Sequence, residues 1–418
     1  RLKPAEGLAD TEKLFSALDQ DDSPMTQLLS DVARNTDLSG GRRFTGVSMS
    51  MIDKVKKGIG LGSSGEGESA SSGPDPVTAR FESLHDFVSS SDPKKEAPLG
   101  QYIGELRRAH DAIRAMLQSG QGRDAQTLAR NIATGGTNDL ALAQRNADRI
   151  LQDLDPEMRR VLSPLLLQPF RAASSGVMSA ALAELNRRWK SDVYDVWQQS
   201  IAGRYPFRTG GEEASMTDVA EFFQPENGAL WKFYDKEIKP FVDEGRNRWE
   251  VKREMGAAMP LSSDFLEFLR QARMISEGLF PRGSAELKLS FDLYPYPSPG
   301  VSESLIQIDG KGLRYRNEPQ EWHEFTWPGT SGSPGATVQA HFGNVLPSEQ
   351  YSGRWGFFKL LDSARITPLS NTVYKMEFDL KGQTSKPLKI RYDLRAQSYK
   401  NPFKPGMLSD FHCPAKIG

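Results

Sequence analysis

Five histidines, His85, His110, His323, His341 and His412, are the residues of this 418-residue chain best suited to metal binding or proton transfer. Their spacing argues against both. There is no His-x-x-x-His or His-Glu-x-x-His; His323-Glu324 begins the second pattern, but Trp327 stands where its other histidine belongs. Zinc needs three or four converging ligands, so structural or surface roles are expected for all five. A Ser-His-Asp triad is assembled in space, so spacing leaves it open, but the Gly-x-Ser-x-Gly elbow is missing. The adjacent carboxylates Glu212-Glu213 and Asp21-Asp22 lie in polar stretches and are expected on solvated surface. The single cysteine, Cys413, rules out an internal disulfide. A reactive thiolate needs a base or a helix N-terminus beside it. His412 is adjacent, but neighbours on a strand face opposite ways, so an inert buried thiol is expected.

Aromatic residues offer a different chemistry, that of interface anchors. Tyr294-Pro295-Tyr296-Pro297 interleaves rings with prolines, which a central strand excludes. A rigid loop with half-exposed rings is expected there. Tyr294, Tyr296, Trp322 and Trp327 are the candidate partner-binding residues, since rigid buried aromatics supply much of an interface's energy. Covering the end of a core is the equal alternative. Asn401-Pro402-Phe403 reads as a structural turn that packs Phe403.

The elements that must position these residues follow from one change in hydrophobic period, near Gly283. Upstream, apolar residues recur at three and four: Tyr102, Leu106, Ala109, Ile113 and Met116, then Met178, Leu182, Leu185, Trp189, Val193 and Val196. Downstream they recur at two, in Leu287 to Leu293, Tyr374 to Leu380 and Leu388 to Leu394. The first period means helices with one buried stripe, the second strands with one buried face. The chain therefore reads as α+β: an all-helical region over residues 1–283, then a β-sandwich over 284–418. Helices are expected at Leu8–Leu18, Met25–Val32 and about Ser179–Gln198, with a helix start at Thr217 or Asp218 and a short helix between Gly353 and Leu361. Asp309-Gly310 marks a hairpin turn. Gly58–Gly73, almost all Gly, Ser and Glu, is expected to be a flexible loop. It lacks the Gly-Lys-Ser/Thr ending of a Walker A loop.

With 53 basic and 54 acidic residues, the chain has no basic excess to attract nucleic acid. No apolar run reaches the roughly 20 residues that span a bilayer. The chain starts at a charged Arg1 and shows no signal-peptide core, as a fragment or processed product would.

Several patches, taken in order, resemble a known family. They are Arg204-Tyr205-Pro206-Phe207, Asp218-Val219, Phe222-Phe223, Asn227-Gly228, Leu230 and Phe233. In the β region they are Ile308-Asp309-Gly310, Trp327-Pro328-Gly329, Gly353-x-Trp355, Phe358-Lys359-Leu360-Leu361 and Leu394-Arg395. The end, Asn401-Pro402-Phe403 through Leu408, Phe411, Cys413 and Pro414, matches most closely. From about Trp189 to Pro414 the chain resembles the C-terminal region of the IcmF/TssM proteins, the inner-membrane component of type VI secretion systems; before Pro76 the resemblance is weak. The resemblance implies the periplasmic portion of a bacterial inner-membrane protein, helical first and β-sandwich last. It implies binding to the outer-membrane lipoprotein TssJ, self-assembly in a trans-envelope complex and TssL as inner-membrane partner. It brings no catalytic residues, no metal and no cofactor. The expected function is a structural scaffold rather than an enzyme. The alternatives are a peptidoglycan-binding module that stacks rings on sugars and, less favoured, a cell-wall glycan hydrolase.

Overall fold

The computed structural model describes residues 7–38, 75–90, 92, 94–119, 122–245, 248–254, 256–281, 284, 286–330, 332–381 and 387–418. The loop expected at Gly58–Gly73 and the switch residue Gly283 lie outside them. The described chain is mainly helical to about residue 280 and antiparallel β beyond, as the period change requires; four short strands between Val242 and Ala258, too short to show a period, correct the all-helical expectation for residues 1–283. It divides into two compact units that cut across that change: Arg1–Glu184 with Val251–Pro260, and Leu185–Glu250 with Leu261–Gly418.

The first unit holds α1 (Leu8–Leu18), α2 (Pro24–Thr36), α3 (Pro76–Arg80), α4 (Glu82–Val88), α5 (Pro98–Gln118), α6 (Gly122–Ala133), α7 (Asp139–Gln152), α8 (Pro156–Leu166) and the start of α9 (Gln168–Trp189). The central α5 buries Leu99, Tyr102, Ile103, Leu106, Ala109, Ile113 and Met116, the stripe read from the sequence. It packs on α1 and α7. Side-chain caps set the helix starts: Ser23 accepts the Thr26 N–H, Asn138 the Ala141 N–H, and Asp155 the N–H groups of Glu157 and Met158. The four short strands occur between α9 and the last helix before residue 280: β1 (Val242–Glu244) and most of β2 (Trp249–Val251) belong to the second unit, β3 (Arg253–Glu254) and β4 (Ala257–Ala258) to the first. The β3–β4 hairpin turns at Gly256, at φ +77°, and β3 packs on α6.

In the second unit α9 ends at Trp189 and the chain runs on through a π-helical turn, Lys190–Tyr194, into α10 (Asp195–Ser200). The helix expected from Ser179 therefore starts eleven residues earlier, at Gln168, and continues to Ser200. Then come α11 (Met216–Phe223), capped by Ser215 rather than by Thr217 or Asp218, α12 (Ala229–Phe233) and α13 (Ser263–Leu279). Trp189 joins α12 and α13. Its ring meets Phe233, Phe265 and Phe268 edge-on at 5.4, 5.1 and 5.8 Å.

Two antiparallel sheets form the β region. One has the order β10-β9-β6-β7: β6 is Val301–Ile308, β7 Lys311–Tyr315, β9 Gly335–Phe342 and β10 Ser348–Ser352. The other has the order β11-β12-β13-β5-β8: β5 is Leu289–Pro295, β8 His323–Trp327, β11 Arg365–Pro368, β12 Val373–Leu380 and β13 Leu388–Ala396. The β6–β7 turn is Asp309-Gly310 as expected, with φ of +45° and +89°. Positive φ at both positions is the hairpin geometry that Asp-Gly favours. The Asp309 carboxylate also accepts the N–H groups of Gly329 and Gly335, at 2.8 and 2.9 Å, and so fixes the connection from β8 to β9. The short helix read between Gly353 and Leu361 is α14 (Gly356–Ser363).

The last residues return to the helices of the same unit. The Phe411 ring sits among Trp197, Phe207, Phe223 and Phe268 at 5.4, 6.3, 5.4 and 5.0 Å. Pro414 carbonyl accepts the indole N–H of Trp189 at 2.7 Å. Ile417 is fully buried, donates its N–H to Asn186 and accepts that of Ser262. The loop before α11 is tied to α14 in turn. Tyr205 donates to Asp362 at 2.7 Å, Glu213 pairs with Lys359 at 2.7 Å, and the Trp355 indole N–H reaches Ala214 carbonyl at 2.8 Å.

Candidate partner-binding face

The five-stranded sheet has one face in the core and one outward, and strand alternation decides which residues reach each. In β5, Leu289, Phe291 and Leu293 are buried while Ser290, Asp292 and Tyr294 are half-buried. In β13, Ile390, Tyr392 and Leu394 face inward while Arg391, Asp393 and Arg395 take the other phase. Register sets Asp393 opposite Tyr294 and Arg395 opposite Asp292. The outward face thus carries alternating charges beside an aromatic group.

Three of the four aromatic candidates meet there. Tyr294 packs edge-on to Tyr296 at 5.3 Å and tilted on Trp322 at 5.1 Å. The Arg391 guanidinium lies 3.9 Å from the Tyr296 ring centre, and that of Arg395 lies 4.3 Å from the Trp322 ring centre. Each arginine is held by a carboxylate: Arg391 by Asp393 at 3.1 Å, and Arg395 by Asp292 at 2.9 Å. Tyr296 also donates its hydroxyl to Asp393 at 2.9 Å. Burial and that carboxylate raise the Tyr296 hydroxyl above its ordinary value. Guanidinium–ring contacts are worth about 0.5–1 kcal/mol each at exposed sites; with the two ion pairs and the Tyr296–Asp393 hydrogen bond they hold the cluster in one arrangement. Spacing did not single out Arg391 and Arg395; their phase in the β13 alternation was the available signal.

Trp327 is a correction. It is fully buried, donates its indole N–H to Arg354 carbonyl at 3.1 Å and packs on Trp355 and Phe358. Phe325 and Trp327 share a phase in β8, which separates Trp327 from Trp322 and turns it inward. The expected rigid loop is corrected too. Tyr294 and Pro295 end the central strand β5. Proline is tolerated because β8 stops opposite Leu293, leaving Pro295 paired on one side only.

The other chemical candidates resolve simply. Among the described residues no group of three or more His, Cys, Asp or Glu side chains is placed to hold a metal. His110 does approach Asp19 at 2.6 Å and Ser16 at 3.4 Å. But Ser16 donates to Glu12 and sits within α1, where the backbone N–H groups are committed to the helix and form no oxyanion hole. Glu213 is not merely solvated, given its pairing with Lys359. Cys413 is buried, and burial pushes its thiol up. It lies in irregular chain, not on a strand. Phe403 packs among Phe291, Phe357 and Tyr374, as the structural-turn reading requires.

Residues 180–285 match the type VI secretion protein IcmF helical domain, and residues 291–398 match the type VI secretion protein IcmF C2-like domain. The type VI secretion system component TssM1 of Pseudomonas aeruginosa is 25% identical over 99% of the chain, and the chain spans 37% of that relative's length. A chain of a solved type VI secretion system membrane core complex superposes with a TM-score of 0.71 at 19% identity, covering 99% of this chain and 79% of that one. The solved TssM C-terminal domain from EAEC superposes with a TM-score of 0.50 at 24% identity, covering 57% of this chain and 98% of that one. Two family domains in the expected order, and a relative aligned along almost the whole chain, agree with the motifs read from the sequence: the chain belongs to the IcmF/TssM family of type VI secretion membrane-complex proteins and corresponds to its C-terminal region.

Proposed function

We propose that this chain is the periplasmic structural part of a type VI secretion trans-envelope complex. It binds the outer-membrane lipoprotein TssJ, assembles with copies of itself and meets TssL at the inner membrane. It is a scaffold component, not an enzyme. Family membership carries this reading, and the site chemistry supports it. The described residues present a preorganised aromatic face in place of a reaction centre. In Tyr296 and Trp322 one ring face is already occupied by a guanidinium, which leaves less surface for sugar stacking and favours a protein partner. Rings locked in place lose little side-chain freedom on binding, so more of their burial appears as affinity.

The test is calorimetric titration of the full chain with the soluble part of a cognate TssJ-type lipoprotein. Saturable binding is expected. Tyr294→Ala together with Trp322→Ala should weaken it at least tenfold with the thermal midpoint preserved. Unchanged affinity in the double variant would remove the aromatic face from the contact. No binding by the folded parent chain would overturn the scaffold reading, and co-sedimentation with purified sacculi would then revive the peptidoglycan one.

A further inference from the structure

The first unit contains an open groove whose walls, Gly256 apart, lie upstream of both family domains. It lies between α7, the start of α9 and the β3–β4 turn, with a volume of about 490 Å³. Two arginines, Arg145 and Arg171, line it. Both are exposed, and among the described residues neither has an ion-pair partner. Several arginines of the unit are paired, Arg107 with Asp21, Arg108 with Glu105 and Arg80 with Glu157, but among the described residues Arg145 and Arg171 are unpaired and share one groove. The one carboxylate in the groove wall, Asp148, accepts from Gln152 Nε2 at 3.2 Å instead. Gly256 contributes a close backbone approach. A Cβ there would come within 3.2 Å of Cγ, Cδ and Nε of Arg171, so the arginine stem lies flat against the turn.

Two exposed guanidiniums line one groove, and an anion entering it meets positive charge from both. We propose that this groove receives the carboxylate of an acidic side chain from a partner polypeptide. The guanidinium fork matches a planar carboxylate in two parallel hydrogen bonds. Gln144 and Gln152 supply carboxamides at the wall. Asp148 leaves a surplus of one positive charge, which suits a monoanionic carboxylate better than a phosphate dianion. The site is independent of the aromatic face and gives the helical unit a docking point of its own.

The experiment is a chemical-shift titration of the full chain, followed at the Gly256 amide. The probes are acetyl-Gly-Glu-Gly-amide, its glutamine counterpart and inorganic phosphate. Saturable shifts with the glutamate peptide are expected, at least tenfold weaker with glutamine. Arg145→Gln and Arg171→Gln should each cost tenfold or more in affinity while thermal melting stays unchanged. Asp148→Asn should move the preference toward phosphate. Equal response to glutamate and glutamine, tighter binding of phosphate by the parent chain, or full affinity in either arginine variant would overturn the proposal.

Discussion

Replacing Phe411 by alanine tests whether the C-terminal tail is part of the helical core. The ring is 1% exposed and touches four other aromatic rings. Truncating a buried phenylalanine costs about 3–5 kcal/mol, the loss growing with the cavity left behind. Here an open pocket lined by Trp197, Phe207 and Phe411 adjoins the site, so water reaches part of the vacated space. That places the cost near the lower end, about 3 kcal/mol. The unit has roughly 220 residues, for which 1 kcal/mol moves the thermal midpoint by about 2–4 °C, giving a drop of about 6–12 °C. The assay is selective, because all seven tryptophans, Trp189, Trp197, Trp231, Trp249, Trp322, Trp327 and Trp355, lie in the second unit. Tryptophan emission during heating therefore reports on that unit and is silent on the first. The same readout applies to a chain ending at Gly283. It keeps four of the tryptophans but loses Phe411, Pro414 and Ile417, and its tryptophans should show no cooperative transition. A midpoint within about 2 °C of the parent for Phe411→Ala, or a cooperative tryptophan transition in the truncated chain, would refute the reasoning.

Asp309→Ala removes a buried carboxylate that holds the Gly329 and Gly335 N–H groups, and places a non-glycine residue without a polar side chain at φ +45°. Hydrogen bonds to a charged group contribute about 1.5–3 kcal/mol each; a loss of about 3 kcal/mol for the pair is expected in urea unfolding, and a loss below 1 kcal/mol would show the clasp to be idle. Cys413 should resist a thiol reagent at pH 8 in the native chain and react fully in denaturant, because burial keeps its thiol protonated; rapid native labelling would contradict its placement. Tyr102 and Tyr392 are buried and their hydroxyls are raised above the ordinary 10.0 by desolvation. The unfolded chain therefore ionises them first, so their contribution is intact below pH 10 and is lost as pH rises beyond it. Melting temperature should fall above pH 10, less steeply in Tyr102→Phe; an equal slope in that variant would exclude Tyr102 as a cause.

The amphipathic stripes were legible because helix and strand periods are local. Tyr102 through Met116 and Phe291 through Leu293 could be assigned from neighbours alone. The hairpin at Asp309-Gly310 was legible because it needs positive φ, which few residues accept. What escaped was long-range or weakly patterned. β10 and β11 have little buried side, and β3 and β4 are two residues each, too short for any period. The docking of Phe411 among helices some 140–210 residues upstream leaves no local trace. The aromatic candidates were half legible. Composition found the rings, and only the register of β5, β8 and β13 sorted Tyr294, Tyr296 and Trp322 from Trp327.

The tail's return also imposes an order of events on the chain. The helices around Trp189 are finished by residue 279, but the ring that closes their aromatic cluster arrives about 130 residues later. At a synthesis rate of about 5–20 residues per second, that is roughly 7–26 s in which Trp197, Phe207, Phe223 and Phe268 lack their last neighbour. On the behaviour expected of the chain ending at Gly283, the second unit does not close by halves as the chain emerges; its upstream part waits for its own C-terminus. A holding factor, or a fast-folding β region that drags the tail into place, is what this connectivity asks of the cell that makes it.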